Sequence, residues 1–214
     1  VLPVDPRYAK MLITASAQGC LRELLIIVSA MSIQDPREIG SENRQLAMQR
    51  LAEFDHPDSD FLGLVKLWDD YEKRRQDMTQ GQLRKHCKKY FLSYMRMREW
   101  REIHHQLVLS CQHLGLKMNK AAGDYGAIHK SLISGSLNQI AKRIDGRNFR
   151  GNRNKSFSLF STSVLANKGA KWIVTGDQIE TSQTFATQAA KIQPEWVEEM
   201  ALHLVKREYF EPHW

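Results

Sequence analysis

The residues best suited to hold a ligand are basic and amide side chains that cluster between positions 147 and 155. The segment reads Arg-Asn-Phe-Arg-Gly-Asn-Arg-Asn-Lys. Guanidinium groups pair with phosphates, amides can hydrogen-bond to base edges or ribose hydroxyls, and a phenyl ring can stack on an unpaired base. This spacing predicts a single-stranded nucleic-acid site whose cations are Arg147, Arg150, Arg153 and Lys155. The alternative is a solvated loop that contacts no ligand.

Two further groups of side chains extend this prediction. One group encloses a glycine-containing loop and consists of Lys168 and Lys171. The other repeats at helical spacing and predicts a basic stripe along one helix. Its members are Lys85, Lys89, Ser93 and Arg96. An ordinary solvated helix face is the alternative interpretation of this stripe.

The charge of the chain favours an acidic partner. The 214 residues carry a formal net charge of +7, and the isoelectric point is about 9.4. Positions 73–101 hold ten Lys or Arg against two acidic residues, and positions 142–171 hold eight against one. Such a polarised surface is typical of nucleic-acid binding, and a membrane surface is the rival partner. The longest apolar stretch, 20–33, contains Arg22 and Glu23 and is shorter than the roughly 20 residues that span a bilayer, so we expect no membrane contact.

Motifs for catalysis or for cofactor binding are absent from the sequence. There is no G-x-x-x-x-G-K-S/T phosphate loop, and G-x-G-x-x-G, H-E-x-x-H, G-x-S-x-G and C-x-x-C are also missing. His104 and His105 are adjacent and point apart on a helix, so they do not form a ligand pair. Asp55, Asp58 and Asp60 are interpreted as turn and helix-capping carboxylates. We therefore expect this chain to hold no metal, no cofactor and no catalytic centre.

The cysteines indicate a reducing compartment. Cys20, Cys87 and Cys111 are odd in number, far apart and surrounded by apolar residues, which predicts small buried thiols. The chain begins with Val1 rather than Met, and positions 1–6 lack the basic start and small-residue cleavage site of a signal peptide. We expect a cytoplasmic segment that was cut from a longer protein.

Helical patterns must position the basic stripe. Helices are predicted at 6–17, 20–33, 41–54 and 61–76, and again at 125–143. Between them, Thr79 and Gln82 form a capping-box signature that opens one long helix reaching to about Leu114. The apolar side of this helix rotates past Arg98, which predicts a kink near Arg98–Glu99 or a change of packing partner. The stripe lies on its first half.

After Asp145-Gly146 the pattern changes to short strands. Segments 155–160, 171–175 and 185–192 are rich in β-branched and aromatic residues, and Pro194 predicts the start of a terminal helix. Four or five strands in about 50 residues favour a small closed barrel. The predicted fold class is therefore α+β and multidomain, with an all-α helical bundle followed by a small all-β barrel and a terminal helix.

Several segments resemble the helicase-associated region of DEAH-box RNA helicases. They include Leu-Pro-Val-Asp-Pro-Arg at 2–7, Gln-Asp-Pro-Arg-Glu at 34–38, His-Pro-Asp-Ser-Asp-Phe at 56–61 and Tyr-Phe-Leu-Ser-Tyr-Met-Arg at 90–96. Lys-Trp-Ile-Val at 171–174, Gln-Pro-Glu-Trp at 193–196 and Glu-Pro-His-Trp at 211–214 continue the match. The motif Ile-Gln-Asp-Pro-Arg-Glu at 33–38 and the closing motif are similar to those of the bacterial HrpA-type branch. The resemblance covers essentially the whole chain.

The resemblance implies an organisation and a role. It implies that residues 1–18 end a winged-helix domain, that 19–144 form a ratchet-like domain, and that 145–214 form an OB-fold with a C-terminal helix. Two RecA-like motor domains, with their ATP and Mg, would precede the chain and make the parent an ATP-dependent RNA helicase, an NTP hydrolase.

The resemblance also assigns roles to residues and partners. Ser93 and Arg96 would lie in the ratchet motif that approaches RNA, and residues 147–155 would enter the first barrel strands. The implied partners are single-stranded RNA and the chain's own motor domains. A docking platform for protein partners or the ribosome is the alternative function. Relatives often carry Pro and Lys-Lys-Pro-Pro-Lys-Trp where this chain has Ser161 and residues 166–172, so the basic loop is only partly kept.

Overall fold

Eight α-helices and seven β-strands form the described part of the protein, which in a computed structural model comprises residue 2 and residues 4–201. The helices are α1 (Pro6–Gln18), α2 (Leu21–Met31), α3 (Arg44–Leu51), α4 (Asp60–Asp77), α5 (Gln80–Lys89), α6 (Tyr94–His113), α7 (Tyr125–Gly135) and α8 (Pro194–Met200). Short 3-10 turns cover Ala52–Phe54, Leu137–Gln139 and Asn152–Asn154. Among these residues, no helix has the length and hydropathy needed to cross a membrane.

Helix α2 lies at the centre of the helical half. Of its residues only Arg22 and Met31 are not buried, and it packs against α1, α4, α6 and α7. A helix that is apolar almost all round must be surrounded by others. From α6, Trp100 is fully buried against it, and its indole N–H donates to the Ile26 carbonyl (3.1 Å) and to Ser29 Oγ (3.0 Å).

The capping box predicted at Thr79 and Gln82 is confirmed, and the neighbouring helix α4 is also capped. Ser59 Oγ accepts from the Leu62 amide at 3.2 Å and starts α4. At the start of α5, Thr79 and Gln82 form both bonds of the capping box. Each cap satisfies backbone donors that the first helical turn leaves unpaired, which explains why these helices begin where they do.

The single long helix predicted from Thr79 to Leu114 is wrong, because the chain breaks between Tyr90 and Ser93. Phe91 has a φ of 53°, in the left-handed region, and Ser93 caps the new helix α6. The break pairs with an extended arm: the Ser93 amide donates to the Pro36 carbonyl at 2.8 Å, and the Glu38 amide donates to the Phe91 carbonyl at 2.7 Å. No Gly or Pro marks this turn, so tertiary pairing overrides the local helical pattern.

The helix predicted to reach Arg143 is also wrong at its end. Helix α7 stops at Gly135, and residues 140–145 form the first strand of the sheet. Asp145 and Gly146 begin a tight turn, with Gly146 at a φ of 43°, and the chain returns as the second strand. Because Asp145 pairs with Asn148, the two loop residues are Gly146 and Arg147, and a glycine with positive φ at the first of these positions is typical of turns that join antiparallel strands.

The strands form one mixed sheet. They are β1 (Ile140–Asp145), β2 (Asn148–Arg150), β3 (Ser156–Leu159), β4 (Trp172–Thr175), β5 (Gln178–Glu180), β6 (Thr184–Ala186) and β7 (Ala189–Lys191). Their order is β5-β6-β3-β2-β1-β4-β7; β3 and β6 are parallel, and all other neighbours are antiparallel. The predicted α+β class and the OB-fold character of the second half are confirmed. The described sheet has seven short strands rather than four or five, and among the described residues no pairing joins β5 to β7 to close it. This curved strand region is called the barrel below.

Two cores support these halves. The larger one joins the helices and also takes in Val174, Ala190 and Ile192 from the sheet side. The smaller one lies inside the barrel and includes Phe149 and Phe157. The terminal helix begins at Pro194 as predicted. The closing motif at 211–214 lies outside the described residues, and the domain limits at 18 and 144 stay predictions.

Candidate nucleic-acid interface

A row of three side chains crosses the centre of the sheet. Lys142 on β1 lies opposite Arg150 on β2 and opposite Trp172 on β4. Directly opposed residues of antiparallel strands point to the same face, so the three side chains share one surface. The Lys142 ammonium is 5.7 Å from the centre of the Trp172 ring. Two cations and an aromatic ring are thus placed side by side.

This row lines an open groove of about 530 Å³. Asn152 and Asn154 contribute amides to the same groove, and Arg143 adds a third cation. A register irregularity between Arg143 and Asp145 leaves Arg143 and Ile144 both exposed. Bulges of this kind re-aim side chains near binding sites. The groove therefore combines phosphate-binding cations, hydrogen-bonding amides and an aromatic surface.

A second groove of about 360 Å³ adjoins the first. The two grooves share Gly151 and Asn152, and the second is lined by Arg153, Lys155 and Gln178 among others. Arg153 and Asn154 adopt φ values of 55° and 58°, in the left-handed region. For a residue with a side chain such backbone costs on the order of 1 kcal/mol, and it often marks a ligand site. The turn at 152–154 thus places Arg153 in the second groove, next to Asn152, which lines both.

In the part of the chain that the structure describes, the cations of this surface lack neutralising partners. They are all exposed and comprise Lys142, Arg143, Arg147, Arg150, Arg153 and Lys171. Within residues 2 and 4–201, none of them has a carboxylate oxygen within 4.0 Å. Like charges directly opposite each other, such as Lys142 and Arg150, disfavour the folded sheet. A bound polyanion would remove that repulsion.

The other predicted barrel residues have protein partners. Lys155 forms an exposed salt bridge with Glu180. The Lys168 ammonium donates to the Pro57 carbonyl at 2.6 Å. Phe149 is buried and its ring faces Phe157 at 6.1 Å, so the prediction that this ring is available for base stacking is wrong. Strand alternation turns Phe149 inward while its neighbours point outward.

The basic stripe does not form one continuous helix face. Lys85 and Lys89 are exposed on α5, and the Lys89 ammonium is 5.7 Å from the centre of the Tyr90 ring. Ser93 is the cap of α6, where its Oγ accepts from the Arg96 amide at 3.3 Å. The Arg96 guanidinium donates to the Asp35 carbonyl at 3.0 Å. The turn at 90–93 therefore separates two free cations from two side chains that hold the turn.

Sequence reasoning missed Lys142, Arg143 and Trp172. The first two were assigned to the end of a helix, and Trp172 was taken only as a strand residue. The signal that could have found them is the Asp145-Gly146 pair, which favours a hairpin and hence a strand before it. In a strand, Lys142 faces the side opposite to Ala141, which is buried.

A buried Ser–His pair lies away from this surface. His129 Nδ1 is 2.7 Å from the Tyr125 carbonyl, so it must donate, and Nε2 therefore accepts from Ser59 Oγ at 2.7 Å. Burial lowers the pKa of His129 to about 4, which keeps the ring neutral. Both side chains are fully buried, so the pair is structural. In the described part of the chain no group of three or more His, Cys, Asp or Glu could hold a metal ion.

Comparison with protein families matches two separate segments of the chain. Residues 5–64 match the family described as the helicase associated domain (HA2), ratchet-like. Residues 128–204 match the family described as the oligonucleotide/oligosaccharide-binding (OB)-fold. The second match contains every strand of the sheet and the whole groove.

Curated relatives match all or nearly all of the chain. It is 41% identical over 214 residues to the ATP-dependent RNA helicase HrpA homolog of Haemophilus influenzae and to the ATP-dependent RNA helicase HrpA of Escherichia coli. It is 28% identical over 200 residues, 92% of the chain, to the ATP-dependent RNA helicase DHX33 of Drosophila melanogaster, of which it spans 28%. The chain spans only 16% of the length of the two bacterial relatives.

Proposed function

We propose a function from the premise that this chain corresponds, along its whole length, to the helicase-associated and OB-fold region of bacterial HrpA-type DEAH-box proteins, the resemblance that the comparisons confirm. The chain acts as the accessory module that grips single-stranded RNA in an ATP-dependent RNA helicase. Its partners are the RNA and the motor domains of its parent.

In this proposal the chemistry belongs to the parent and the grip belongs to this chain. The parent is an NTP hydrolase whose RecA-like domains bind ATP and Mg and act in the cytoplasm. This chain contributes cations, amides and an aromatic ring, which bind RNA without breaking a bond. Docking to the ribosome or to another protein is the alternative that the experiments below must exclude.

The observation that carries the proposal is the row of Arg150, Lys142 and Trp172 across three adjacent strands. Two neighbouring cations can take consecutive phosphates, and an aromatic ring beside them can stack on the base between. Base–aromatic stacking contributes about 1–3 kcal/mol per base and tolerates any sequence. A duplex would bury its bases away from Trp172, so the row favours an unpaired strand.

The helical half contributes less to the grip. Lys85 and Lys89 add positive potential along α5. Ser93 and Arg96, which are engaged with backbone groups, support the turn at 90–93. Phosphate contacts made by the barrel therefore supply most of the affinity.

Binding of fluorescent single-stranded RNA at several salt concentrations tests the proposal. The variant Lys142→Ala with Arg150→Ala should bind about 100-fold more weakly, because two charge-assisted phosphate contacts are lost. The slope of log K against log salt should become shallower by about 1.4, since each phosphate on a single strand contributes about 0.7.

The matched control is Lys10→Ala with Lys117→Ala, which makes the same change in net charge at two exposed lysines of the helical half. It should retain most of the affinity. If both double variants lose affinity equally, the effect is general charge and the groove is not the site. If neither loses affinity, a docking role replaces RNA binding.

A further inference from the structure

The segment from Pro57 to Asp60 is the joint between the helical half and the barrel. The Lys191 amide donates to the Asp58 carbonyl at 2.8 Å, and Ser59 pairs with Ala190 as an isolated bridge. The Tyr125 hydroxyl is 3.1 Å from the Asp58 carbonyl and 2.6 Å from the Lys191 carbonyl. The segment thus covers the edge of β7 as an added strand would.

Asp60, the first residue of α4, holds two separate parts of the barrel. Its Oδ1 accepts from the Val164 amide at 3.0 Å. Its Oδ2 accepts from Ser163 Oγ at 2.5 Å and from the Ala189 amide at 2.9 Å. Bonds to an ionised carboxylate are about twice as strong as neutral ones. One side chain therefore fixes both the β3–β4 loop and the start of β7.

These two anchors lead directly to the RNA groove. The β3–β4 loop ends at Lys171 and continues into Trp172 at the start of β4. Strand β7 pairs with β4, with Ala189 opposite Thr175. Strand β4 in turn pairs with β1, which places Trp172 opposite Lys142. Asp60 is thus linked to one side of the groove, whereas Arg150 on β2 lies beyond β1.

We propose that Asp60 is a positioning residue for the groove: it holds the β3–β4 loop so that Lys171 and Trp172 face the RNA. The inference rests on the proposed function, because it assigns a role only if the groove binds RNA. Without Asp60, the loop would have to be ordered when RNA binds, and that cost would weaken binding.

The variant Asp60→Asn tests this role in the 214-residue chain. An amide keeps one acceptor oxygen but turns N–H donors toward the Ser163 hydroxyl and the Ala189 amide. RNA affinity should fall about 10-fold. The control is Asp58→Asn, because the Asp58 carboxylate makes no hydrogen bond among the described residues. That variant should bind RNA like the wild type.

A double-mutant cycle separates positioning from general stability. In the wild type, Lys171→Ala should weaken binding about 5-fold, whereas in the Asp60→Asn background it should have almost no effect. Arg150→Ala should cost the same in both backgrounds. If Asp60 is purely structural, the affinity losses caused by Lys171→Ala and by Arg150→Ala should change by the same factor in the Asp60→Asn background. That result overturns the proposal.

The two proposals fail in distinguishable ways. If Lys142→Ala with Arg150→Ala leaves RNA affinity unchanged, the groove itself is wrong. If that variant loses affinity while Asp60→Asn keeps it, only the positioning role is wrong. Should Asp60→Asn not fold, as judged by circular dichroism, Ser163→Ala removes one of the three bonds and is carried through the same cycle with the same expected pattern.

Discussion

The two halves of the protein treat their positive charge differently. In the helical half, arginines pair with carboxylates: Arg22 with Asp69, Arg37 with Asp35, Arg74 with Asp70, and both Arg75 and Arg101 with Glu72. In the barrel's described residues, eight exposed cations have no such partner, and Lys155–Glu180 is the salt bridge between two of its residues. Among the described residues, the helical half therefore ties a set of arginines into ion pairs, although lysines such as Lys85 and Lys89 stay unpaired there, whereas the barrel pairs only Lys155.

The two hydrophobic cores also differ, in their size and in the side chains that fill them. The helical core contains large side chains such as Trp100, Tyr71 and Phe61. The barrel core is small, and five of its nine fully buried members are two phenylalanines, two leucines and one isoleucine, the rest being alanines. The sheet gains further support where Val174, Ala190 and Ile192 join the helical core. The sheet is therefore supported in part by the helical core.

The largest expected effect is a loss of folding stability in acid, which we assign to the buried His129 of the helical half. The unfolded chain protonates a histidine as pH falls through about 6.5, but His129 in the folded state resists protonation until about pH 4. The stability that neutral His129 contributes is therefore fully present above pH 6.5 and is lost as pH falls toward 4. The expected loss in free energy of unfolding is about 3 kcal/mol, since each unit of pKa shift is worth about 1.4 kcal/mol.

Chemical denaturation at a series of pH values measures this loss. The variant His129→Gln should be less stable at neutral pH but should lose about 3 kcal/mol less between pH 6.5 and 4. His104, whose pKa is also lowered to about 4 by burial, remains as an internal reference for the residual acid sensitivity. An unchanged pH dependence in the variant would show that His129 is not the titrating group.

A second prediction compares the free cations of the two halves directly. Lys85→Ala with Lys89→Ala should weaken binding of single-stranded RNA only about 5-fold, because these lysines on an exposed helix face attract RNA through a screened potential. The groove pair Lys142 and Arg150 should lose about 100-fold by contrast. The same salt titration measures both variants.

This second comparison has a built-in control for folding. Lys85 and Lys89 are one turn apart on α5, where like charges repel, so their removal should leave α5 at least as stable. An affinity loss equal to that of the groove pair would break the distinction between the halves. It would assign a direct RNA contact to α5.

Much of the scaffold was predictable because local signals agreed with the fold. The caps at Ser59 and Thr79 and the all-round apolar pattern of α2 each specify one structure. The alternation at Ser156–Leu159 does the same for β3. In these places the sequence pattern and the tertiary packing demand the same conformation.

The failures occurred where distant parts of the chain decide the structure. The turn at Phe91 depends on pairing with residues 36–38, which no local pattern near 91 can show. Asp60 looked like an ordinary capping carboxylate, yet its partners are 103 to 129 residues away. The row of Arg150, Lys142 and Trp172 could be predicted only from the register of three strands. The sequence offers a signal for the first pairing alone, the hairpin at Asp145-Gly146.

The smallest expected effect concerns Arg96, which the sequence grouped with the RNA-binding stripe. Its guanidinium donates to the Asp35 carbonyl and so ties α6 to the arm that pairs with the turn at 90–93. The variant Arg96→Ala should lower the free energy of unfolding by about 1 kcal/mol, the usual net value of one such hydrogen bond. The amide protons of Ser93 and Glu38 should exchange faster, because the pairing they make is less well held.

The salt dependence of RNA binding distinguishes this role from a phosphate contact. If Arg96 supports the turn, its removal leaves the slope of log K against log salt unchanged, whereas a direct phosphate contact would make the slope shallower by about 0.7. Arg98→Ala is the matched control, because Arg98 is exposed and its guanidinium only lies 6.0 Å from the centre of the Tyr94 ring. That variant should leave stability unchanged. A shallower slope for Arg96→Ala with unchanged stability would contradict this role. It would show that Arg96 contacts a phosphate, so that the RNA-binding cations would include a residue of α6 beyond the turn at 90–93.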